Sequence, residues 1–181
     1  LWLGVHHLVR GAGERLRSIV VTAASGLNGD VHERIASSGV PAGPDFVAQV
    51  SYLRRVQASN GLETEVYTLI PGPGGTRFIL RTDSRHPFGE AYEMRSEMKP
   101  VFERGETVVT GFYGDRHGSW ISAYAPVFNS KGNVVALLEA DYRMGPVLVT
   151  IAKEVLLFAG IALLGLAATI RLVRRVARDL A

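Results

Sequence analysis

The sequence of 181 residues contains no cysteine, so no disulfide framework stabilises the chain and its stability must come from a hydrophobic core. The absence of cysteine does not assign the protein to a cellular compartment. Internal repeats and low-complexity tracts are also absent. The formal net charge is only +3, and aromatic residues do not alternate with basic ones. We therefore expect no nucleic-acid partner.

Motifs for catalysis and metal binding are also absent. The sequence has no G-x-S-x-G elbow, no H-E-x-x-H pair and no Gly-rich phosphate loop. Asp115, His117 and Ser119 alternate, but side chains two apart on a strand point in parallel and do not form a relay. A metal site would need loops that bring His86 and His117 to Asp83 or Asp115. We expect no enzyme activity and no cofactor, with a hydrolase as the least favoured alternative.

One long apolar run stands out near the C terminus. Residues 155–170 carry no charge, and a buried soluble helix of that length would usually have a polar stripe. We predict a transmembrane helix over residues 146–173. Basic residues stay on the cytoplasmic side, so residues 11–150 are predicted to be extracytoplasmic and the chain to sit in the inner membrane. The basic cluster that sets this orientation consists of Arg171, Arg174, Arg175 and Arg178.

The chain before that run divides into a helical part and a strand-forming part. Residues 1–10 suit the outer end of a first membrane helix, and the alternative is an ordinary helix start. The predicted divisions are 1–10 for this segment, 11–61 for N-terminal helices, 62–145 for a sheet domain, 146–173 for the membrane helix and 174–181 for the start of a cytoplasmic relay.

Two helices are predicted in the first part. Apolar residues recur at spacings of three and four, and Gly26 and Gly29 predict a break in the first helix. Asp45 is predicted to cap a second helix that runs through Ser59. The apolar stripe consists of Leu16, Ile19, Val20, Ala23, Leu27, Val31 and Ile35.

From Glu63 the apolar spacing changes to two, which indicates strands. The segments ETEVYTLI and TRFILRTD flank PGPGG and predict a hairpin. GEAYEMRSEMKPVFER returns to helical spacing, TVVTGFY predicts a strand, and two more strands flank Ser130-Lys131. Helices followed by mostly antiparallel strands predict an α+β fold with a five-stranded antiparallel sheet.

The last hairpin separates polar from apolar residues. With Ser130-Lys131 as its turn, Trp120 opposes Asp141, and side chains alternate between the two faces. One face then carries Trp120, Ser122, Tyr124, Glu139 and Asp141. The other face is predicted to pack on the N-terminal helix, and consists of Ile121, Ala123, Ala125, Val127, Val134, Ala136, Leu138 and Ala140.

The first hairpin is interpreted in the same way. One face is predicted to carry Tyr67, Arg77 and Arg81, opposite a face with Val66, Thr68, Ile70, Phe78 and Leu80. Aromatic walls with a few polar groups predict a small-molecule pocket, in which an Arg would bind an anion and an Asp an amine. The alternative is that Arg81 pairs with Glu65 on an exposed strand and Asp141 begins a loop.

A family resemblance rests on the same stretch. Asp115-x-x-Gly118, Trp120, Ala125-Pro126, Gly132, Val134-Val135 and Asp141 resemble the C-terminal half of an extracellular CACHE (PAS-like) sensor module. The resemblance covers residues 60–144, and the helical stretch before it fits the family's long N-terminal helix. The family's amino-acid-binding version has an Arg-x-Trp-Tyr string. Ile121 follows Trp120 here, so an amino-acid ligand does not carry over.

The resemblance implies a single five-stranded sensor domain between two membrane helices of a signalling receptor. A histidine kinase, nucleotide cyclase or chemotaxis region usually follows, and residues 171–181 resemble the opening of a HAMP-type relay. A membrane-anchored interaction module without a ligand is the alternative. The candidate ligand-binding residues are Trp120, Tyr124, Asp141, Ser122, Tyr67, Arg77, Arg81, His117 and Asp115.

A homodimer is also predicted from the first helix. Its apolar stripe is predicted to be broad enough for two partners, the Ile121–Val127 sheet face and a second copy of the helix. Leu16, Val20, Ala23 and Leu27 follow spacings of four, three and four, which suits a parallel pair of helices. The predicted partners are thus a small molecule, anionic or amine, the membrane and a second copy of the chain.

Overall fold

A computed structural model describes residues 2–83, 87–115 and 117–179. The chain forms two compact units, residues 1–143 and 144–181. The first unit combines helices with one antiparallel sheet, which confirms the predicted α+β class. Its helices are α1 (Trp2–Ser25), α2 (Gly29–Ser38), α3 (Pro44–Ser59) and α4 (Lys99–Arg104).

The break predicted after Ser25 is present. Asn28 caps α2, its side-chain oxygen accepting a hydrogen bond from the backbone N–H of Val31 at 3.1 Å. The cap predicted for the next helix is wrong by two residues. Gly43 is the N-cap of α3 and Pro44 is its first residue, which places Asp45 in the first turn. Pro44 lacks an N–H and suits a position where that group would have no partner.

Within the described ranges the sheet has seven strands, in place of the five predicted. Its order is β3-β2-β1-β7-β6-β4, with β5 pairing to β6, and each of these pairs is antiparallel. The segment TVVTGFY is two short strands, and only the second half of residues 89–104 is helical. The strands are β1 (Val66–Gly72), β2 (Gly75–Arg81), β3 (Ala91–Tyr92), β4 (Val108–Val109), β5 (Tyr113–Asp115), β6 (Gly118–Phe128) and β7 (Val134–Arg143).

The apolar face of the sheet packs on α1, as predicted. Ile121, Ala123 and Leu138 are fully buried beneath this helix, which lies across β6 and β7. The stripe residues predicted for a dimer are therefore already covered within one chain. Leu16, Val20 and Ala23 are each 0% exposed. A second copy of the chain would have to contact another surface.

The predicted register of the β6–β7 hairpin is wrong by two residues. Trp120 pairs with Arg143, Ser122 with Asp141 and Tyr124 with Glu139. The cause is a longer loop, because the strands end at Phe128 and Val134 and the ladder shifts register at that end. A shift of two keeps the side chains from Trp120 to Val127 and from Ala136 to Asp141 on their predicted faces, since faces alternate with period two. The prediction is wrong for Val134, because Val135 is an extra residue in the ladder and Val134 therefore pairs with Phe128, away from the face of Val127.

The predicted faces of the β1–β2 hairpin are wrong for Arg77 and Phe78. The register changes from Tyr67 opposite Arg81 to Leu69 opposite Phe78, so β2 contains one extra residue. Such a bulge moves the residues beyond it to the opposite face. Phe78 therefore joins Tyr67, while Arg77 pairs with Ile70 on the α2 side.

His32 on α2 is fully buried against β1. Its Nε2 lies 2.8 Å from the hydroxyl oxygen of Thr68, which also accepts the backbone N–H of Leu80 at 3.0 Å. Burial lowers the pKa of His32 from 6.5 to about 4, so the imidazole is neutral in the fold at neutral pH.

We expect this histidine to make the fold sensitive to acid. Between pH 6.5 and about 4 the unfolded chain binds the extra proton, so His32 contributes stability above this window that is lost as pH falls through it. The loss is at most about 3 kcal/mol. Unfolding free energies measured from pH 7 to pH 4 should fall less steeply in His32→Gln. The exposed His7→Gln variant is the control, and equal slopes in all three proteins would contradict this assignment.

The second unit is one helix, α5 (Gly145–Asp179). The most apolar 18-residue window of this helix has a mean hydropathy of 2.2. Among the described residues, α5 is the one helix that is long and apolar enough to cross a membrane. The span predicted over 146–173 lies within it. Insertion and orientation stay predictions, as does a membrane role for residues 1–10, of which 2–10 belong to α1.

Candidate functional site

A cavity of about 340 Å³ opens on the sheet face that α1 does not cover. Its walls come from β1, β2, β3, β5, β6 and β7, so residues distant in sequence meet there. This volume suits a small molecule. The described lining residues are Glu65, Tyr67, Phe78, Arg81, Glu90, Ala91, Tyr92, Tyr113, Asp115, His117, Trp120 and Asp141.

Aromatic rings form much of the wall. Tyr67, Phe78 and Tyr92 pack edge to face, with ring centroids 5.0 Å, 5.1 Å and 6.1 Å apart. Edge-to-face contacts hold rings in fixed relative orientations. Tyr113 and Trp120 bring the number of aromatic lining residues to five. Such rings offer flat apolar surface and, on their faces, partial negative charge.

Asp141 is held in the wall by hydroxyl groups from two neighbouring strands. Its Oδ1 accepts the Ser122 hydroxyl at 2.5 Å, and its Oδ2 accepts the Tyr67 hydroxyl at 3.2 Å. The hydroxyl of Tyr113 lies 2.7 Å from the Ser122 oxygen, which extends the chain of hydrogen bonds. Burial raises the pKa of Asp141, and these hydrogen bonds oppose part of that rise.

Asp115 organises the rim of the cavity. Its Oδ1 accepts the backbone N–H groups of His117 at 2.7 Å and Gly118 at 3.0 Å, and the indole N–H of Trp120 at 2.9 Å. Partial burial would raise the pKa of Asp115, but these hydrogen bonds lower it further than burial raises it. The carboxylate thus fixes the Trp120 ring, which also lies 5.9 Å from the guanidinium carbon of Arg143.

Arg81 lines the cavity but is bound to its neighbours. Its guanidinium donates to both carboxylate oxygens of Glu65, at 3.0 Å and 2.5 Å, and to Glu90 at 3.1 Å. It also stacks on Phe78, with its guanidinium carbon 3.8 Å from the ring centroid. The pairing with Glu65 that we considered as an alternative is therefore present, although the Arg81 side chain is only 8% exposed.

The structure brings six of the nine candidate residues into the cavity wall: Tyr67, Arg81, Asp115, His117, Trp120 and Asp141. Ser122 lies behind Asp141, and Tyr124 is fully buried in the core beside Met98 and Val101. Arg77 lines a different cavity, against α2. Sequence reasoning missed Phe78, Tyr92 and Tyr113. Phe78 was placed on the wrong face, and Tyr92 was placed on a helix.

The residues of the enzyme and metal alternatives lie at the rim of the cavity. The described hydrogen bond between Asp115 and His117 is from the backbone N–H of His117 to the carboxylate, at 2.7 Å. In the described part of the chain, no group of three His, Cys, Asp or Glu side chains could hold a metal ion. His86, which the metal hypothesis required, lies outside the described residues.

The part of the cavity lining that the structure describes carries mostly negative charge. Among the described lining residues, four are acidic (Glu65, Glu90, Asp115 and Asp141) and one is Arg81. Two of the four acidic side chains are paired with that arginine. The carboxylates of Asp115 and Asp141 remain beside the aromatic rings, which is an arrangement that attracts small cations.

No protein-family profile matches the sequence, and no curated protein matches it. The structure is similar to an extracellular ligand-binding receptor from Desulfohalobium retbaense, with 13% identity, a TM-score of 0.47 and 75% of this chain covered. It is similar to the ligand-binding domain of the Pseudomonas aeruginosa amino-acid chemoreceptor PctC in complex with GABA, with 21% identity, a TM-score of 0.41 and 74% covered.

The sensor domain of the Vibrio cholerae histidine kinase DctB is similar as well, with 15% identity, a TM-score of 0.39 and 77% of this chain covered. The chain spans 24%, 65% and 57% of the lengths of these three structures. The function proposed next rests on the cavity.

Proposed function

We propose that this chain is the extracytoplasmic ligand-binding module of a membrane-bound signalling receptor of the CACHE type. The observation that carries the proposal is the 340 Å³ cavity, whose described wall combines five aromatic side chains with hydrogen-bonded carboxylates. In this proposal residues 11–143 bind a small molecule outside the membrane. Helix α5 crosses the membrane, and its basic cluster lies in the cytoplasm.

The ligand class that fits this wall is a small organic cation. Aromatic faces and carboxylates both attract an ammonium group, and both are present around Asp141. An anionic ligand, the other class that the sequence suggested, has less support. Arg81 already donates to Glu65 and Glu90, and Arg77 faces α2.

Signalling in this proposal uses the order of elements along the chain. β7 carries Asp141 and ends at Arg143, and α5 begins at Gly145, so the strand that lines the cavity leads directly into the membrane helix. A ligand biases two receptor states only by its different affinity for them, commonly by about 1–3 kcal/mol. A homodimer and a kinase, cyclase or chemotaxis output after residue 181 belong to the same proposal.

A matched pair of probes tests the ligand class. Choline and 3,3-dimethylbutanol have nearly the same shape, but only choline carries a positive charge. We expect choline to raise the melting temperature of the full chain in detergent, because a ligand that binds the folded state stabilises it by mass action. The neutral alcohol should raise it much less. An equal response to both, or a response only to small anions, would overturn the cationic assignment, and no response to any small molecule would favour the interaction module.

A further inference from the structure

Glu139 is a carboxyl group that the proposed ligand site does not use. It lies on β7, two residues before Asp141 and on the same face, and it pairs across the sheet with Tyr67 on one side and Tyr124 on the other. Its side chain is 0% exposed. No donor among the described residues makes a well-formed hydrogen bond to either of its carboxylate oxygens, although the Tyr67 hydroxyl, which donates to Asp141 at 3.2 Å, is close enough to lower the pKa of Glu139 in part.

A charged carboxylate in this position would be costly. No Lys, Arg or His nitrogen in the described part of the chain lies within 4.0 Å of it, although such pairing is the usual compensation for a buried charge. Buried acids without a cation normally take up a proton instead. A protonated Glu139 becomes a donor, and Asp141, two residues along the same face of β7, is the neighbouring carboxylate that can accept from it.

We propose that Glu139 and Asp141 form a proton-binding site that holds one proton at neutral pH, with the protonated Glu139 donating to the Asp141 carboxylate. Asp141 has room for this bond, because a carboxylate has about four lone-pair sites and the described protein donors to it are Ser122 and Tyr67. The pair then carries one negative charge, and the orphaned oxygens of Glu139 gain a partner.

The groups that face the pair from neighbouring elements do not supply a positive charge that would remove this proton, apart from one arginine. They are Glu65, just before β1, Tyr67 on β1, Tyr92 on β3, Arg95, just before α4, Tyr113 on β5, and Ser122 and Tyr124 on β6. Burial raises the pKa of Tyr92, Tyr113 and Tyr124, so these phenols are neutral at neutral pH.

Arg95 is the one cation in that set, and its two described contacts are with other groups, although its buried Nε has no hydrogen-bond partner among the described residues. Its guanidinium carbon lies 3.7 Å from the Tyr113 ring centroid, and its Nη2 lies 3.7 Å from a carboxylate oxygen of Glu97. Burial and then the charge of Asp141 raise the pKa of Glu139 well above its ordinary value, and the Tyr67 hydroxyl and then Arg95 oppose only part of that rise. Like charges that share a site commonly push one of the two pKa values upward.

The pair of Glu139 and Asp141 makes the charge of the cavity depend on pH, in addition to any binding of a ligand. Near neutral pH the β7 side of the cavity, which we call its floor, presents one negative charge through Asp141. Loss of the proton from the pair at higher pH adds a second negative charge. If the proposed cationic ligand is correct, its affinity should rise as that proton leaves. The proton site itself does not depend on the ligand, because it follows from the burial of Glu139 and its neighbours.

Infrared spectroscopy of the full chain at pH 7 tests the proton site without any ligand. Dodecyl maltoside is a suitable detergent because it has no carbonyl group. We expect a protonated-carboxyl C=O band in the wild type that is absent in Glu139→Gln, which keeps the size and neutrality of the protonated acid. The band should remain in Glu97→Gln, because the backbone hydrogen bond and Ser96 hold the pKa of Glu97 below its ordinary value.

A second measurement needs no substitution. Labelling glutamate with carbon-13 at its side-chain carboxyl should shift the band in the wild type, and the band should decline as pH is raised above neutral. A wild-type spectrum without a protonated-carboxyl band at pH 7 would overturn the proposal, as would a band that the label does not shift. Either result leaves the choline experiment unaffected, so the two proposals fail separately.

Discussion

Asp141→Asn is expected to lower the affinity of the full chain for choline by about ten- to a hundredfold, because it removes the carboxylate at the cavity floor. Charge-assisted contacts are worth about 1.5–3 kcal/mol, which corresponds to this range of affinity. The asparagine carbonyl can still accept the Ser122 hydroxyl, so the wall should keep its shape. Titration calorimetry in detergent measures the change directly.

The matched control is Asp45→Asn. This variant makes the same chemical change on the exposed surface of α3. Asp45 pairs there with Arg34 at 3.1 Å, away from the cavity. We expect this variant to bind choline as the wild type does. Equal affinity in Asp141→Asn and the wild type would remove Asp141 from the site, whereas equal losses in both variants would show a general effect of charge.

Gly29→Ala is expected to destabilise the first unit by about 4 kcal/mol, somewhat above the usual cost of overpacking. A Cβ on Gly29 would lie 2.1 Å from the carbonyl oxygen of Phe128 and 2.8 Å from the backbone nitrogen of Asn129. These are backbone atoms of the β6–β7 hairpin, so no side-chain rotation relieves the overlap. Either α2 or the hairpin must move. Urea unfolding followed by circular dichroism measures the loss.

Gly11→Ala provides the contrast for the same substitution. Gly11 lies within α1, and a Cβ there would meet nothing within 4 Å. Alanine favours helix by up to about 1 kcal/mol relative to glycine, so this variant should be slightly more stable. If Gly29→Ala were as stable as Gly11→Ala, the close approach of α2 to the hairpin would be wrong.

The sequence predicted the faces of the last hairpin better than its pairing. Alternation of polar and apolar residues assigned Ser122, Tyr124, Glu139 and Asp141 to one face, and the structure confirms this. Alternation carries no information about a shift of two, because both registers bury the same residues. The loop around Asn129 decides between them, and its extra residues have no hydrophobic pattern.

A bulge explains why Arg77 and Phe78 were misplaced. One additional residue in β2 moves the side chains beyond it to the opposite face, and nothing in the run TRFILR marks its position.

Tyr92 and Tyr113 were missed because β3 and β5 have two and three residues and are too short for a periodic pattern to appear. The cavity wall therefore needed the tertiary structure, while its floor was predictable.

The apolar stripe on α1 shows a different limit of prediction from sequence, which concerns the partner that a helix face contacts. Leu16, Val20 and Ala23 were correctly predicted to be buried, but the spacing that suits a helix pair also suits a helix on a sheet. Periodicity indicates that a face is covered and does not identify the partner. Because the sheet covers these residues, the crosslinking positions for a dimer should be sought on the exposed face of α1, which includes Val21 at 43% exposure.

The division of the cavity between central and edge strands has a consequence for how such a protein can diverge. β7 lies between β1 and β6 and supplies the floor, so changes there disturb ladders on both sides. Much of the rim comes from β3 and β5, which each pair along one edge and contribute few residues to the core. Because Tyr92 packs on Phe78 and Tyr113 lies 2.7 Å from the Ser122 oxygen, exchanging either side chain alters the cavity wall and its packing together. The same scaffold can therefore acquire a new ligand through substitutions that keep this packing.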